Sequence, residues 1–432
     1  MKQVQYITEL FDHYDGKTLD AYLKLEGFRA LRKTINEEHE IILKEIDDSR
    51  LQGRGGAAYP TGRKLRQARE VVGVRKFVVC NADEGEPGTF KDRELLRKNI
   101  FQVIEGMIIA GILSQANEGI IYVREEYTHL HDDIREAINV CYERNYLGKG
   151  ILNSPYQFEL KLFSGAGAYV CGEGFAMCES MEGKSGRPRT KPPYVKQEGF
   201  LNMPTLVINT ETLSTIVSII RRGSDSFKKF GTENSTGTKL ISISGKVEKP
   251  GVYEIPFGVT INEIVEELAG GIVGGKRSNF VQIGGASGGI LPWWEWDTKY
   301  TYEDLEEKGL SVGSGAIVVT DEDNDILDYL RIVQDFFAHE SCGKCTPCRE
   351  GNRQLRLIFG KIMAGTATEQ DYKRMDIVID IMGKASLCGS GKTEVVPFIT
   401  AKKYFPEVFK VQTPIYTMES NENMLEFAKA GV

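Results

Sequence analysis

The sequence predicts a mixed α/β protein built from three successive parts, and the pattern of apolar residues changes at each boundary. From about residue 51 to 235, short apolar strands alternate with helical segments, which is typical of an α/β layer fold. From 236 to 325, two strands, a helix and further strands indicate a small β-grasp domain. From 326 to 432 the apolar spacing is helical throughout, which predicts a helical bundle.

The first elements in chain order are helices. Residues 1–50 are charged, with apolar residues at three- and four-residue steps, so we expect an N-terminal helical segment. In the α/β part the predicted strands include KFVVCNAD, GIIYVREE and FELKLFS, and one predicted helix is NIFQVIEGMIIAGILSQA. Because strands and helices alternate there, we expect a layered sheet with helices on its faces.

The β-grasp and bundle segments are predicted by the same rules. KLISISGKV, PGVYEIP, NFVQIGGASGG and GAIVVTD are the expected strands, and TINEIVEELAGG is a helix that ends at Gly270. The expected bundle helices include DILDYLRIVQDFFAHES, NRQLRLIFGKIMAG and EQDYKRMDIVIDIMGKA. The cysteines of the last quarter fall at the ends of these helices.

Composition excludes two classes of partner. With 54 Lys and Arg against 61 Asp and Glu, the chain has no basic excess that would suit nucleic acid. No apolar run approaches the roughly 20 residues that span a bilayer, and the first residues lack the pattern of a signal peptide. We therefore expect a cytoplasmic protein without direct membrane insertion, either free or held at the cytoplasmic face of a membrane through partners. Its eight cysteines are expected to be ligands or buried hydrophobes rather than disulfides.

Four cysteines have the spacing of a metal site. Cys342, Cys345 and Cys348 form a C-x2-C-x2-C motif, and Cys388 follows after a predicted helix that can return a fourth thiolate. Three thiolates in a loop that enters a helix N-terminus, with a fourth from elsewhere, favour a [4Fe-4S] cluster. Structural zinc more often uses two CxxC pairs, and zinc and unliganded thiols are the alternatives. The remaining cysteines are expected to be small buried hydrophobes: Cys80, Cys141, Cys171 and Cys178.

Two glycine-rich segments differ in what they predict. GRGGAAYPTGRK, residues 53–64, lets the backbone approach a phosphate or a flat ring, and Arg54 and Lys64 add charge that suits a phosphate. This segment follows charged residues rather than a strand, so it is not a standard Rossmann turn. CGSGKT, residues 388–393, resembles the end of a P-loop but lacks its first glycine, so we do not expect nucleotide binding there.

Polar residues follow two of the predicted strands. VVCNADEGEPGTFKDR, residues 78–93, places amide and carboxylate groups at a strand end, where α/β sheets bind ligands. Residues 164–194 likewise run from a strand through glycines to a carboxylate and a basic, proline-rich loop. Together with the glycine loop, they predict one shared ligand pocket.

The motifs GRGGAAYPTGRK, CNADEGEPGTFKDR, GAGAYVCGE, KPPY, PTLVINTET, CGKCTPC and SLCG, in this order, closely resemble a known family. The family is the NADH-oxidising flavoprotein subunit of respiratory complex I and its relatives in NAD-linked hydrogenases and formate dehydrogenases. The resemblance implies a Rossmann-like FMN- and NADH-binding domain, a soluble-ligand-binding β-grasp domain, and a helical bundle with one [4Fe-4S] cluster. It also implies hydride transfer from NAD(P)H to FMN, followed by single-electron transfer through the cluster to partner subunits.

The resemblance also implies site residues. Glu86 and Glu173 are the implied catalytic carboxylates, with Glu86 at the nicotinamide and Glu173 also at the flavin. Lys64 is implied on the FMN phosphate, and Tyr59 and Tyr194 on the adenine, with Lys191 nearby. The remaining implied cofactor contacts are Gly53, Arg54, Gly55, Gly56, Asn81, Asp83, Glu84, Gly172, Asn209 and Thr212.

The chain departs from the family pattern at four positions. Gly174 stands where the family usually has a second glutamate, and Gly85, Gln67 and Ile208 replace a serine, an aromatic residue and an asparagine. A missing carboxylate leads us to the hypothesis that rejection of the 2′-phosphate of NADPH is relaxed.

The resemblance implies partner chains as well. The chain has no further iron–sulfur motif, so we expect a thioredoxin-like [2Fe-2S] subunit and further iron–sulfur subunits of complex I, a hydrogenase or a formate dehydrogenase. Two alternatives are kept: an electron-input subunit of a soluble, electron-bifurcating hydrogenase or of a formate dehydrogenase, and a non-catalytic binding or assembly module.

Overall fold

The computed structural model describes residues 3–73 and 75–410 and contains two five-stranded sheets and a group of helices that follows them. The strands of the first sheet are β1 (Phe77–Ala82), β2 (Glu118–Val123), β3 (Gly148–Lys149), β4 (Gln157–Ser164) and β5 (Thr205–Asn209). Their order is β3-β4-β2-β1-β5, parallel except for the short edge strand β3. After β1 the chain moves outward to β2 and β4, and then returns to the other side of β1. This reversal leaves a crevice at the carboxyl ends of β1 and β5, where such sheets bind ligands.

In the described part of the chain, ten helices surround this sheet. They are α1 (Leu19–Lys24), α2 (Arg29–Asn36), α3 (His39–Asp48), α4 (Thr61–Glu70), α5 (Lys91–Lys98), α6 (Ile100–Ser114), α7 (His131–Glu143), α8 (Gly174–Met181), α9 (Thr210–Arg222) and α10 (Ser224–Lys228). All fifteen residues of α6 are buried. A helix that is apolar around its whole circumference belongs in a core, and the sheet and the first helices enclose α6.

A buried carboxylate attaches the N-terminal helices to this core. Glu105 of α6 accepts hydrogen bonds from the Tyr22 hydroxyl at 2.6 Å and from the backbone N–H groups of Phe28 and Leu31 at 2.9 Å. These amides begin α2, so Glu105 satisfies donors that the helix itself leaves unpaired. The N-terminal helices therefore share one hydrophobic core with the α/β sheet.

The second sheet has the order β7-β6-β10-β8-β9. Its elements are β6 (Thr238–Gly245), β7 (Gly251–Pro256), a π-helix at Glu263–Leu268, β8 (Ser278–Ile283), β9 (Gly289–Pro292), α11 (Tyr302–Lys308) and β10 (Ala316–Asp321). The central pair β6 and β10 is parallel, and the other neighbouring strands are antiparallel. This arrangement agrees with the β-grasp prediction.

The helices of the last part are α12 (Ile326–Glu340), α13 (Thr346–Met363), α14 (Glu369–Ala385), α15 (Gly389–Thr393) and α16 (Val396–Tyr404). Their apolar faces form a separate core. The end of the predicted bundle, residues 411–432, lies outside the described residues. None of the helices in the described ranges combines the length and hydropathy that a bilayer span requires.

A buried ion cluster joins the two sheets. Glu211 of α9 lies 2.6 Å from the Lys239 ammonium of β6 and 2.9 Å from the Lys91 ammonium of α5. Lys91 also pairs with Asp92 at 2.8 Å. All four side chains are at most 5% exposed, so water does not screen these charges.

Candidate functional site

Two asparagines mark the crevice at the carboxyl ends of β1 and β5. Asn81 and Asn209 are register partners in the two strands. The Asn81 side chain accepts a hydrogen bond from the Asp83 N–H at 3.1 Å and donates to the Gly172 carbonyl at 2.9 Å. The Asn209 side chain donates to Asp92 at 2.7 Å. The strand-end loop 78–93 and the loop that contains Gly172 therefore meet, as expected for one pocket.

The glycine loop lies against the start of α9. The Arg54 N–H donates to the Thr212 hydroxyl at 2.9 Å, and the Gly53 N–H donates to the Tyr59 carbonyl at 2.9 Å. A Cβ atom at Gly55 would lie 2.9 Å from Asn209 Cβ, and Gly56 has a φ of +114°. Only glycine permits both this close approach and this backbone conformation. The loop therefore brings bare backbone to the crevice.

The two cations of this segment have different surroundings. The Arg54 guanidinium is buried towards the β-grasp domain, where it donates to the Tyr302 hydroxyl at 3.0 Å and the Thr236 carbonyl at 3.1 Å. The structure thus gives the Arg54 side chain other partners than the phosphate we expected, because its length carries the guanidinium across the domain junction.

The Lys64 ammonium, by contrast, has no hydrogen-bond or ion-pair partner among the described residues. Its residue keeps part of its surface open, yet burial of the ammonium lowers the pKa of Lys64 to about 8. An unpartnered, poorly solvated cation beside a glycine loop fits a phosphate ligand.

The three acidic residues of NADEGEPG differ in orientation. Asp83 has a buried carboxylate oxygen without a partner among the described residues, and burial raises the pKa of Asp83 to about 7. Glu84 turns away and accepts hydrogen bonds from the N–H groups of Asp92 and Arg93 at 2.8 and 3.0 Å, at the start of α5. The structure thus leaves one Asp83 oxygen without a protein partner and uses Glu84 to hold α5.

Glu86 connects three parts of the chain. Its carboxylate accepts a hydrogen bond from the Tyr169 hydroxyl at 2.6 Å and one from the Ser287 N–H, in the β-grasp domain, at 2.8 Å. Burial raises the pKa of Glu86. The Tyr169 N–H in turn donates to Glu340 of α12 at 3.0 Å. We did not predict a role for Tyr169, although its position in GAGAYVCGE, beside the flavin-binding residues, was a signal.

Glu173 begins α8. One oxygen of Glu173 accepts hydrogen bonds from the N–H groups of Phe175 and Ala176 at 2.9 and 3.0 Å, and the other pairs with Lys191 at 3.0 Å. The structure therefore brings Glu173 and Lys191 together. Because the carboxylate caps the helix, its position is fixed rather than free to rotate.

The predicted aromatic residues lie at the surface. Tyr59 and Tyr194 are 38% and 51% exposed. Gln67, at the departure from the family's aromatic, accepts hydrogen bonds from the Tyr59 hydroxyl at 3.0 Å and from Lys196 at 2.9 Å. Large exposed rings are free to stack on a flat ligand.

The cysteine motif lies where two helices begin. Cys345 precedes α13 and Cys388 precedes α15. A Cβ atom at Gly391 would lie 3.2 Å from Cys348 Cβ, so the two helix starts are in contact. Burial raises the pKa of Cys388, and the nearby Cys342 raises it further. The other four cysteines are all buried, as predicted: Cys80, Cys141, Cys171 and Cys178.

The donor set of this motif fits an iron–sulfur cluster. Within residues 3–73 and 75–410, no three His, Cys, Asp or Glu side chains are grouped closely enough to hold one metal ion. A four-iron cluster takes one thiolate at each iron, so its ligands stand farther apart than those of a single zinc ion. Three cysteines in and after one loop, with a fourth at the adjoining helix start, are the donor set expected of a [4Fe-4S] cluster.

Known proteins match most of the chain. The F subunit of NADH-quinone oxidoreductase from Aquifex aeolicus (strain VF5) is 41% identical over 374 residues, which are 87% of this chain and 86% of that protein. This chain belongs to the family of NADH-quinone oxidoreductase F subunits. The HndC subunit of the NADP-reducing hydrogenase of Solidesulfovibrio fructosivorans is 37% identical, over 95% of this chain and 83% of HndC.

Domain families and a solved structure support this membership. The Nuo51 FMN-binding domain matches residues 46–218, the SLBB domain 240–291, and the NADH-ubiquinone oxidoreductase-F iron-sulfur binding region 328–412. The crystal structure of an NAD+-reducing [NiFe]-hydrogenase in the H2-reduced state superposes with a TM-score of 0.80 at 35% identity, covering 92% of this chain and 68% of that chain.

As a member of this family, the chain is an NADH dehydrogenase flavoprotein that uses FMN, NADH and a [4Fe-4S] cluster. The predicted family, fold class, enzyme activity and cofactors are confirmed. The alternative of a non-catalytic module has no support from these matches.

Proposed function

We propose that the crevice at the ends of β1 and β5 is the FMN site, with the FMN phosphate on Lys64. The observation that carries this proposal is the unpartnered Lys64 ammonium beside the glycine loop. Backbone at Gly53, Gly55 and Gly56 would face the flavin, because glycine adds no side chain of its own to this loop. When bound there, FMN would supply the two-electron to one-electron redox chemistry that links hydride transfer from the dinucleotide to single-electron transfer.

The polar side chains around the crevice would orient the two ligands. The free oxygen of Asp83, together with Asn81, Asn209, Thr212 and Gly172, supplies polar groups to the flavin edge. Tyr59 and Tyr194 offer exposed faces to the adenine, with Lys191 held nearby by Glu173. Glu86, which stays in place through Tyr169 and Ser287, would position the nicotinamide.

The electron exit would be the cysteine motif. The loop before α13 packs against the flavin domain, because Lys344 donates to the Pro188 carbonyl at 2.6 Å and Glu340 accepts from the Tyr169 N–H at 3.0 Å. We propose Cys342, Cys345, Cys348 and Cys388 as the four cluster ligands.

Partner subunits would take the electrons onward. A thioredoxin-like [2Fe-2S] subunit and further iron–sulfur subunits, of complex I or of a soluble hydrogenase or formate dehydrogenase, are the proposed acceptors. The similarity to HndC and to the [NiFe]-hydrogenase supports the hydrogenase alternative. We also propose a cytoplasmic location, because the eight cysteines are unpaired. Identifying the chains that co-purify with the protein tests the proposed partner subunits.

Lys64→Ala is expected to weaken FMN binding. Losing a charge-assisted hydrogen bond of about 1.5 to 3 kcal/mol raises the FMN dissociation constant about 10- to 150-fold. The pKa of Lys64 is lowered to about 8, so above pH 8 the amine is increasingly neutral and wild-type affinity should also fall as pH rises. Titration of apoprotein with FMN, followed by flavin fluorescence, measures both effects.

Lys44→Ala is the matched control, because Lys44 is an exposed lysine that pairs only with Asp48. This variant should bind FMN as the wild type does at every pH. If Lys64→Ala binds FMN with unchanged affinity, the phosphate does not lie on Lys64, and the proposed orientation of FMN is wrong.

Gly174→Glu is expected to lower the use of NADPH relative to NADH. Gly174 follows Glu173 at the start of α8, and a second carboxylate there would repel the 2′-phosphate. We expect kcat/KM for NADPH to fall about tenfold or more relative to that for NADH, since a like charge costs at least about 1.4 kcal/mol. Steady-state rates with both dinucleotides measure the ratio.

Gly174→Ala distinguishes an effect of the added charge from a steric effect of the added side chain. A Cβ atom at this position lies 3.2 Å from Val195 Cγ2, so alanine and glutamate share the same contact. The alanine variant should keep the wild-type ratio of NADPH to NADH use. An equal change in both variants would assign the effect to Val195 rather than to charge.

A further inference from the structure

The sulfur of Cys348 has a hydroxyl neighbour. Ser341 Oγ lies 3.2 Å from Cys348 Sγ. The Ser341 backbone is fixed by its own N–H, which donates to the Phe337 carbonyl at the end of α12 at 3.0 Å. The Ser341 hydroxyl oxygen accepts a hydrogen bond from the Gly343 N–H at 3.4 Å. Either the hydroxyl or the thiol can donate in the contact between Ser341 and Cys348, and once Cys348 is a thiolate only the Ser341 hydroxyl can.

An amide also lies near this sulfur but is bonded elsewhere. Asn352 Nδ2 is 3.5 Å from Cys348 Sγ, while it is 2.7 Å from a Glu394 oxygen and 3.0 Å from the Cys348 carbonyl. The two hydrogens of the Asn352 amide therefore point at the Glu394 oxygen and the Cys348 carbonyl, which are the two shorter contacts. The Gln334 side-chain amide donates to Asn352 Oδ1 at 2.8 Å, so the Asn352 side chain is held in this orientation. The Glu394 oxygens lie 3.5 and 3.7 Å from the sulfur, so Ser341 Oγ, at 3.2 Å, is its closest side-chain hydrogen-bonding partner among the described residues.

We infer that the Ser341 hydroxyl donates a hydrogen bond to the Cys348 thiolate and raises the reduction potential of the cluster. The inference rests on the proposed ligand set. One-electron reduction adds negative charge that spreads onto the sulfurs, so a hydrogen bond to a ligand sulfur is stronger in the reduced state. It stabilises that state and makes the cluster a better electron acceptor. Ser341 is a positioning residue in this role, since it acts through Cys348.

Ser341→Ala tests the inference. In the full chain purified anaerobically, EPR-monitored redox titration should show a lower midpoint potential for the cluster. A difference between the two redox states of about one ordinary hydrogen bond predicts a shift of about three- to tenfold in the one-electron equilibrium, which is about 30 to 60 mV. Iron and acid-labile sulfide content, measured on the same samples, shows whether the cluster is present.

Thr346→Val is the matched control, because Thr346 is an exposed hydroxyl residue at the first position of α13 and its hydroxyl has only one described hydrogen bond, with Arg349. Its midpoint should equal that of the wild type. Ser341→Thr and Ser341→Val are a second pair of variants, and their side chains have nearly the same shape. Threonine should keep the wild-type midpoint and valine should lower it, which decides the question if alanine impairs cluster assembly.

The outcomes separate the inference from the ligand set. A full cluster in Ser341→Ala, with the midpoint of Thr346→Val, overturns the role of Ser341 and leaves the four cysteines as ligands. Equal midpoints for the threonine and valine variants overturn it in the same way. A wild-type chain without iron would overturn the ligand set itself.

Discussion

Cys388→Ala is expected to abolish the cluster while FMN stays bound. The variant removes one of four proposed sulfur ligands, and alanine offers no atom that binds iron. Iron and acid-labile sulfide should fall from near stoichiometric to background, and the reduced protein should lose its cluster EPR signal. NADH-dependent transfer to iron–sulfur partners should stop with it. Flavin absorbance should remain, because the proposed FMN site lies on other residues.

Cys178→Ala is the control for this experiment. Cys178 is buried within α8 and belongs to the core beside the first sheet, so its loss leaves a small cavity but no missing ligand. This variant should retain both iron and flavin. A Cys388→Ala protein with a full complement of iron would show that Cys388 is not a ligand.

Glu211→Gln is expected to destabilise the chain by about 3 to 5 kcal/mol, because removing one partner leaves buried charges uncompensated. Burial alone would raise the pKa of Glu211, but the ammonium groups of Lys239 and Lys91 hold it below its usual range. The carboxylate is therefore charged at neutral pH, and glutamine removes that charge at nearly constant volume. The urea midpoint of unfolding and the thermal midpoint of the full chain measure the effect.

An exposed ion pair serves as the comparison for the buried ion cluster. Glu369 and Lys373 form an exposed ion pair one helical turn apart in α14, where water screens the charges. Glu369→Gln should leave both midpoints unchanged. If Glu211→Gln also leaves them unchanged, the buried cluster does not stabilise the junction between the two sheets.

The confirmed predictions share a physical basis. Strand and helix periodicity places the apolar residues of each element on the side that must be buried. The α/β part, the β-grasp domain and the bundle could therefore be predicted from the local sequence pattern. The site residues remain predictions, and they depend on local spacing in the same way. The C-x2-C-x2-C spacing predicts cluster ligands because it places three thiolates in one short segment. The glycine loop predicts a ligand-binding segment because glycine lets the backbone come close to another group.

The orientation of long polar side chains was not predictable in this way. Arg54 is implied as a flavin contact whose charge suits a phosphate, and the structure directs its guanidinium to Tyr302 and Thr236 across the domain junction. Glu84 was expected at the flavin, yet it holds the first N–H groups of α5. The partners of Arg54 lie far from it along the chain, and the partners of Glu84 follow it after a turn.

The sequence by itself determined the three-part architecture, the cysteine motif and the segments that line the crevice, because each depends on spacing within a few residues. Only the tertiary structure decided that Lys64 keeps a free ammonium, that Tyr169 joins Glu86 to the bundle, and that Ser341 faces the Cys348 sulfur. These depend on which distant groups compete for each donor and acceptor, and that competition is settled by packing.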